Sequence, residues 1–279
     1  MRRGLLIVLV LLAAAATLAG CGGSDEGASV PSSREPPIAT PEAAPAPPAT
    51  PAEALVATSR DLRAGIRAWL AHDRGAEPPS PEVERAAAEQ QRLYLLLAAR
   101  PKLAARVLPQ LHGRLRAEAR DVIAARRAIA VLNRPRPGQK PPTPKIGEPE
   151  PPAVIRSHYD AAWRRFGVPM PLLAAVHFVE SRFGRLRNDS VAGAQGPMQF
   201  MPATWQAYGL GGDVHDPRDA ILGAANYLHA NGSPRDDAAA LYHYNPSSLY
   251  VEAVSRYANR MRKDPLAFYA FYAWPVRGR

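Results

Sequence analysis

Proline sets the outer limits on what this chain can fold into. Sixteen of its thirty prolines fall in two stretches, eight within residues 22–51 and eight within residues 135–152. Proline lacks the backbone donor that helix interiors and sheet ladders need, so neither stretch can supply a core element. The first is mixed with Gly, Ser, Ala and Thr and reads as a disordered or polyproline-like tether over residues 21–51. Fully extended, its thirty residues would reach about 90 Å at about 3.1 Å each. The second, with Arg-Pro-Arg-Pro-Gly and Pro-Pro-Thr-Pro, reads as a semi-rigid linker and a domain boundary. Globular structure is therefore expected only in residues 52–134 and 153–279.

Residues 1–20 read as a secretory signal rather than as part of the fold. Arg2 and Arg3 form a basic start, and Leu5 to Leu18 is almost wholly apolar but short for a membrane-spanning helix. Cys21 is the only cysteine, which excludes an internal disulfide framework. The run Leu18-Ala19-Gly20-Cys21 resembles a bacterial lipobox. That resemblance implies cleavage before Cys21, lipidation of its thiol, and an exported protein held on the outer face of the cell membrane. An ordinary signal cut nearby, with Cys21 incidental, is the alternative. Without Arg2 and Arg3 the chain keeps 33 basic against 25 acidic side chains, a net +8. For an exported chain that charge points to anionic wall and phospholipid head groups, not to nucleic acid; a solvated Arg-rich surface is the plainer account.

Residues 52–134 carry helical periodicity. Leu55, Leu62 and Trp69 recur every seven residues, with Ile66 on the same side. Val83, Ala86, Leu93, Tyr94 and Leu97 mark a second helix that stops before Pro101. A heptad-like seam runs through Leu108, Leu111, Leu115, Val122, Ala125, Ile129 and Leu132, with Glu118 its one polar member. Two or three packed helices are expected, a hairpin or small bundle. No chemistry is evident there, and the region reads as a helical spacer, or as a docking element for a cell-wall or divisome protein.

Residues 153–279 repeat helix signals, and strand signals are scarce. Pro171 sits at a helix start. Asp216-Pro217 with Asp219 reads as cap, first-turn proline and acidic third position. Asp236, Ser247 and Asp264-Pro265 open further helices. The whole reads as one all-α domain.

Within it, Val176-His177-Phe178-Val179-Glu180-Ser181-Arg182-Phe183-Gly184 puts a carboxylate among apolar residues near a helix end. Burial and the negative end of a helix both favour the neutral acid. Such an acid can protonate a glycosidic oxygen. Taken alone, the segment is better explained by a Glu at a helix end with its head in water, because surface Glu is common. Downstream, Gly193 and Gly196 permit tight turns. Gln199 offers a donor and an acceptor. Met198 and Met201 offer soft apolar contact, with core packing the plainer role for Met198. Asp213, Asp216 and Asp219 lack a calcium-loop pattern, the histidines form no ligand motif, and no metal or cofactor is expected.

Four features in order, Glu180-Ser181, Gly193 to Gln199, Met201-Pro202 and Tyr244-Asn245, resemble the signature of the lytic transglycosylase domain of the goose-lysozyme-like superfamily. The wording Gly-Pro-Met-Gln-Phe-Met-Pro is closest to the membrane-bound B-type branch and actinobacterial lipoproteins, as is Tyr250-Val251. Pro246 departs from the glycine common after Tyr-Asn. The resemblance spans residues 155–262 and implies a lysozyme-like helical catalytic domain. It implies a single catalytic acid, Glu180, which cleaves the MurNAc–GlcNAc bond of peptidoglycan and leaves a 1,6-anhydro end. It implies substrate contacts from Ser190, Gln199, Met201, Tyr244 and Asn245, with Tyr244 near Glu180 and Ser181 a support for the helix end. Asp189 is the only other acid near the motif. Three readings stay open: a lytic transglycosylase, a hydrolytic muramidase on the same fold, and a non-catalytic wall-binding lipoprotein.

Overall fold

The computed structural model describes residues 50–134 and 143–276. The signal segment, Cys21 and most of the tether lie outside the described residues, as does the first part of the linker. Among the described residues there are eleven α-helices and no strand. They run α1 Pro51–Asp73, α2 Pro81–Ala99, α3 Pro101–Val107, α4 Gly113–Leu132, α5 Pro152–Phe166, α6 Met170–Ser181, α7 Pro202–Tyr208, α8 Pro217–Ala230, α9 Asp237–Tyr244, α10 Ser248–Lys263 and α11 Pro265–Ala273. This is the expected all-α architecture.

Proline also opens helices, including α1 and α5 at the ends of the two rich stretches. Eight of the eleven have Pro in the first turn, where its missing N–H is no loss and its fixed φ suits the helix. The expected tether ends slightly early for this reason. Thr50 and Glu53 form a reciprocal capping box around Pro51, so α1 begins inside the proline-rich stretch. Asp216, Asp236 and Asp264 cap α8, α9 and α11 through their side chains, and Ser247 stands at the N-cap of α10. The aspartates read as caps act as caps: Asp216 accepts from the Asp219 amide, and Asp219 in turn from that of Asp213.

The larger correction concerns the two halves. Residues 52–134 are not a spacer set apart from residues 153–279; both contribute to one hydrophobic cluster. Helix α4 lies along α10, and α11 packs on α1 and α2. An aromatic chain runs from Tyr94 on α2 through Trp274 and Phe271 to Phe178 on α6, with centroids 5.9, 4.9 and 5.4 Å apart. Polar contacts close the same seam. Trp274 Nε1 donates to Gln90 Oε1 at 3.1 Å, Arg63 pairs with Asp264, and Asp121 on α4 pairs with Arg256 and Arg260 on α10. The heptad-like seam of α4 was legible, but what it buries against is α10 as well as α2.

The linker is also bound rather than free where it is described. Ile146 bridges Leu186, the Gly147 amide donates to the Arg185 carbonyl at 2.9 Å, and the Arg187 amide donates to that of Lys145 at 2.9 Å. A proline-rich run has few donors, and this one uses the amides of Lys145 and Gly147, two residues that are not proline.

Candidate active site

Helix α6 is the axis of the site. Every residue from Leu172 to Ser181 is buried, as expected of a helix apolar on all sides. Its end is sharp, because Arg182, Phe183 and Gly184 in succession take φ of 57, 61 and 82°. Ser181 secures that end. Its hydroxyl donates to the Pro197 carbonyl at 2.5 Å and accepts from the Gly184 amide at 2.9 Å. It thus ties the helix to the glycine-containing loop.

Glu180 is only 4% exposed. Tyr250, at the start of α10, donates to its Oε1 at 2.6 Å, while Oε2 is buried with no hydrogen-bond partner among the described residues. Burial raises the carboxyl from 4.5 to about 8, and the Tyr250 bond only partly opposes this. No cation contributes. Arg182, two residues on, lies over the Phe178 ring at 4.3 Å instead, and burial lowers its guanidinium to about 9. The side chain is therefore a neutral carboxylic acid at pH 7. One oxygen is held, and the other is buried without a hydrogen-bond partner among the described residues.

His177 is no second acid. Its Nδ1 lies 2.9 Å from the Tyr159 hydroxyl, and burial lowers it to about 3, so the ring stays neutral. Asp189 is exposed.

The loop after α6 is shaped by backbone constraints. Gln195 and Phe200 exchange both backbone hydrogen bonds, at 2.8 and 2.9 Å, and pinch off the residues between them. Gly196 has φ +71°, and a Cβ there would sit 1.9 Å from the Val214 carbonyl oxygen, so no larger residue fits. Gln199 is buried at φ +52°. Its amide nitrogen donates to the carbonyls of Gly196 at 2.9 Å and Asn188 at 3.2 Å. Both donor hydrogens are spent on the loop itself, which narrows the expected substrate role of Gln199 to its oxygen. Ser190 accepts from the Ala194 amide at 2.9 Å and keeps its hydroxyl hydrogen. Met201 is half-buried at the start of α7, and Met198 is fully buried core.

The tyrosines divide the work differently from the expectation. The resemblance places Tyr244 near Glu180, to orient the acid or the sugar, and the two are close enough for the charge of Glu180 to act on the Tyr244 hydroxyl. Its hydroxyl instead donates to the Met198 carbonyl at 2.7 Å, and its ring lies parallel to that of Tyr250, centroids 6.4 Å apart. It fixes the loop, and Tyr250 fixes the acid. Tyr250 had been read only as part of a branch-specific Tyr-Val pair. No local pattern marks it, because its partner is seventy residues away. Asn245 is 1% exposed, and its side-chain nitrogen has no hydrogen-bond acceptor among the described residues.

A cavity of about 260 Å³ lies behind the loop, lined among others by Glu148, Glu150, His177, Gly184 and Pro197, but not by Glu180. No group of three His, Cys, Asp or Glu among the described residues is placed to hold a metal ion.

Fold and site together define an all-α protein that presents one protonated carboxylic acid beside a rigid glycine-containing loop. Residues 158–266 match the family model of the Transglycosylase SLT domain, so this part of the chain carries an SLT domain, consistent with a lytic transglycosylase of the lysozyme-like superfamily and with a peptidoglycan-degrading function of that type. No curated protein and no solved structure matches it.

Proposed function

We propose that the chain cleaves the MurNAc–GlcNAc bond of peptidoglycan without water, using Glu180 as its only catalytic carboxylate. The observation that carries this reading is the state of Glu180: neutral at pH 7, with Oε1 held by Tyr250 and Oε2 unpartnered. A proton on Oε2 is the one available to the glycosidic oxygen. Once it has been given up, the Glu180 carboxylate is the base for the C6 hydroxyl of the same MurNAc. That hydroxyl closes on C1, and a 1,6-anhydro end results. A nucleophile carried by the substrate needs no second carboxylate to activate water, and it has the advantage of proximity. Ser190, the Gln199 oxygen, Met201 and the Asn245 amide are the groups proposed to contact the glycan. Tyr244 serves by holding the Met198 carbonyl.

The test is the mass of the products from purified peptidoglycan. Anhydro ends lack one water relative to reducing ends. Anhydro products are expected. Reducing ends alone would make the enzyme a hydrolytic muramidase, and no products at all would leave a wall-binding protein. The lipobox-like run Leu18 to Cys21 supports the further proposal that the protein is exported and anchored through Cys21. A Cys21→Ser variant should leave the membrane fraction; unchanged partitioning would refute the anchor.

A further inference from the structure

Among the described residues, the segment between the two halves is bonded to the stretch that leads from α6 into the glycine-containing loop, at Arg185, Arg187 and Asn188. Asn188 stands between the end of α6 and the loop, and its side chain clasps the linker from both directions. Its Oδ1 accepts from the Lys145 amide at 2.5 Å, and its Nδ2 donates to the Thr143 carbonyl at 3.1 Å. Two backbone bonds, Gly147 to Arg185 and Arg187 to Lys145, continue the clasp, and Arg187 Nη2 adds a bond to the Glu148 carbonyl at 2.8 Å. The backbone carbonyl of the same Asn188 receives the Gln199 amide. Gln199 holds a left-handed backbone that non-glycine residues seldom adopt, so its conformation depends on what its side chain is tied to.

We propose that Asn188 is a positioning residue for the glycan-binding loop: it transmits the seating of linker residues 143–147 to Gln199, so that the segment joining the two halves sets the loop facing Glu180. The inference rests on the reading of that loop as substrate-binding. No group on Asn188 need touch the reacting atoms. Its effect on catalysis runs through the loop, and so it belongs to substrate binding rather than to proton transfer.

Three variants of the full chain separate the possibilities. Asn188→Ala removes both side-chain bonds to the linker. Asn188→Asp keeps the acceptor for Lys145 and loses the donor to Thr143. Gly147→Pro leaves Asn188 intact, deletes the amide bonded to Arg185 and also displaces the Arg187 side chain, which a Cβ at 147 would approach to 2.1 Å. In Asn188→Ala and Gly147→Pro, KM for a glycan fragment should rise roughly threefold to tenfold while kcat stays within about twofold, as expected for loss of one or two hydrogen bonds that serve binding. Asn188→Asp should fall between these and the parent. Hydrogen exchange at the amides of Gln195, Gln199 and Phe200 should speed up in the same order, whether or not the chain cleaves glycan. Faster exchange with no glycan cleavage by the parent chain would leave the coupling intact and remove the functional reading. Unchanged KM in both Asn188→Ala and Gly147→Pro would overturn the proposal, whatever their melting temperatures, and so would unchanged loop exchange.

Discussion

Each half of this molecule holds a glutamate against a tyrosine hydroxyl, and the two pairs have almost the same length. Tyr94 donates to Glu118 at 2.7 Å, and Tyr250 donates to Glu180 at 2.6 Å. Their chemistry diverges because of what else is near. Glu118 takes a second donor on the same oxygen, Gln90 Nε2 at 3.4 Å, and while burial and Asp264 disfavour its anion, Arg63 and Arg260 favour it. Glu180 has Tyr250 alone. Burial raises both carboxyls, that of Glu180 to about 8. A tyrosine bond by itself therefore does not distinguish a structural glutamate from a proton donor. The charges around it do: arginines act on Glu118, and none acts on Glu180.

Substitutions that convert one environment toward the other test this contrast. The largest effect is expected from Glu180→Gln, which keeps shape and the Tyr250 bond but cannot supply a proton. Activity on peptidoglycan should fall by roughly 10²–10⁴-fold or more, with the fold retained. Near-normal digestion by a folded variant would end the single-acid mechanism, as would equal loss in Asp189→Asn.

Tyr250→Phe comes next. The tyrosine bond favours the anion, so its loss should raise the Glu180 carboxyl further. Activity needs the protonated acid, and in the parent it should decline as pH rises through about 8. In Tyr250→Phe the decline should move to higher pH while the rate drops about tenfold, because one oxygen is no longer held. A pH profile that does not move would mean that Tyr250 only packs.

Stability should show the same group with the opposite reading. Above pH 4.5 the unfolded chain has lost the Glu180 proton that the folded chain keeps up to about 8. The folded state thus binds more protons, and Glu180 makes stability fall as pH rises through that window. Glu180→Gln removes the contribution. Its melting temperature should gain on that of the parent between pH 5 and about 8. A constant difference across the range would contradict a raised carboxyl.

The smallest effect is expected from Glu118→Gln. The amide oxygen can still accept from Tyr94, the change in stability should stay within about 1 kcal/mol, and digestion should be unchanged. A loss of activity as large as that of Glu180→Gln would erase the distinction between the two pairs.

Much of this protein follows from residues close in sequence. Helix existence is one such property. The caps at Asp216 and Asp236 bond to amides three residues on, and the seven-residue spacing of Leu55, Leu62 and Trp69 needs only a helical repeat to become one buried face. The site motif was legible for the same reason: Glu180, Ser181 and the turns at Gly193 and Gly196 lie within one short stretch whose backbone demands are local. Three things only the tertiary structure decided. Tyr250 reaches Glu180 across seventy residues, Trp274 reaches Gln90 across 184, and the linker reaches Asn188 across more than forty. No periodicity encodes such pairings, because each depends on which faces the helices bury against one another. That packing also supplies the low-polarity surroundings, without a nearby cation, that turn Glu180 from a common glutamate into an acid.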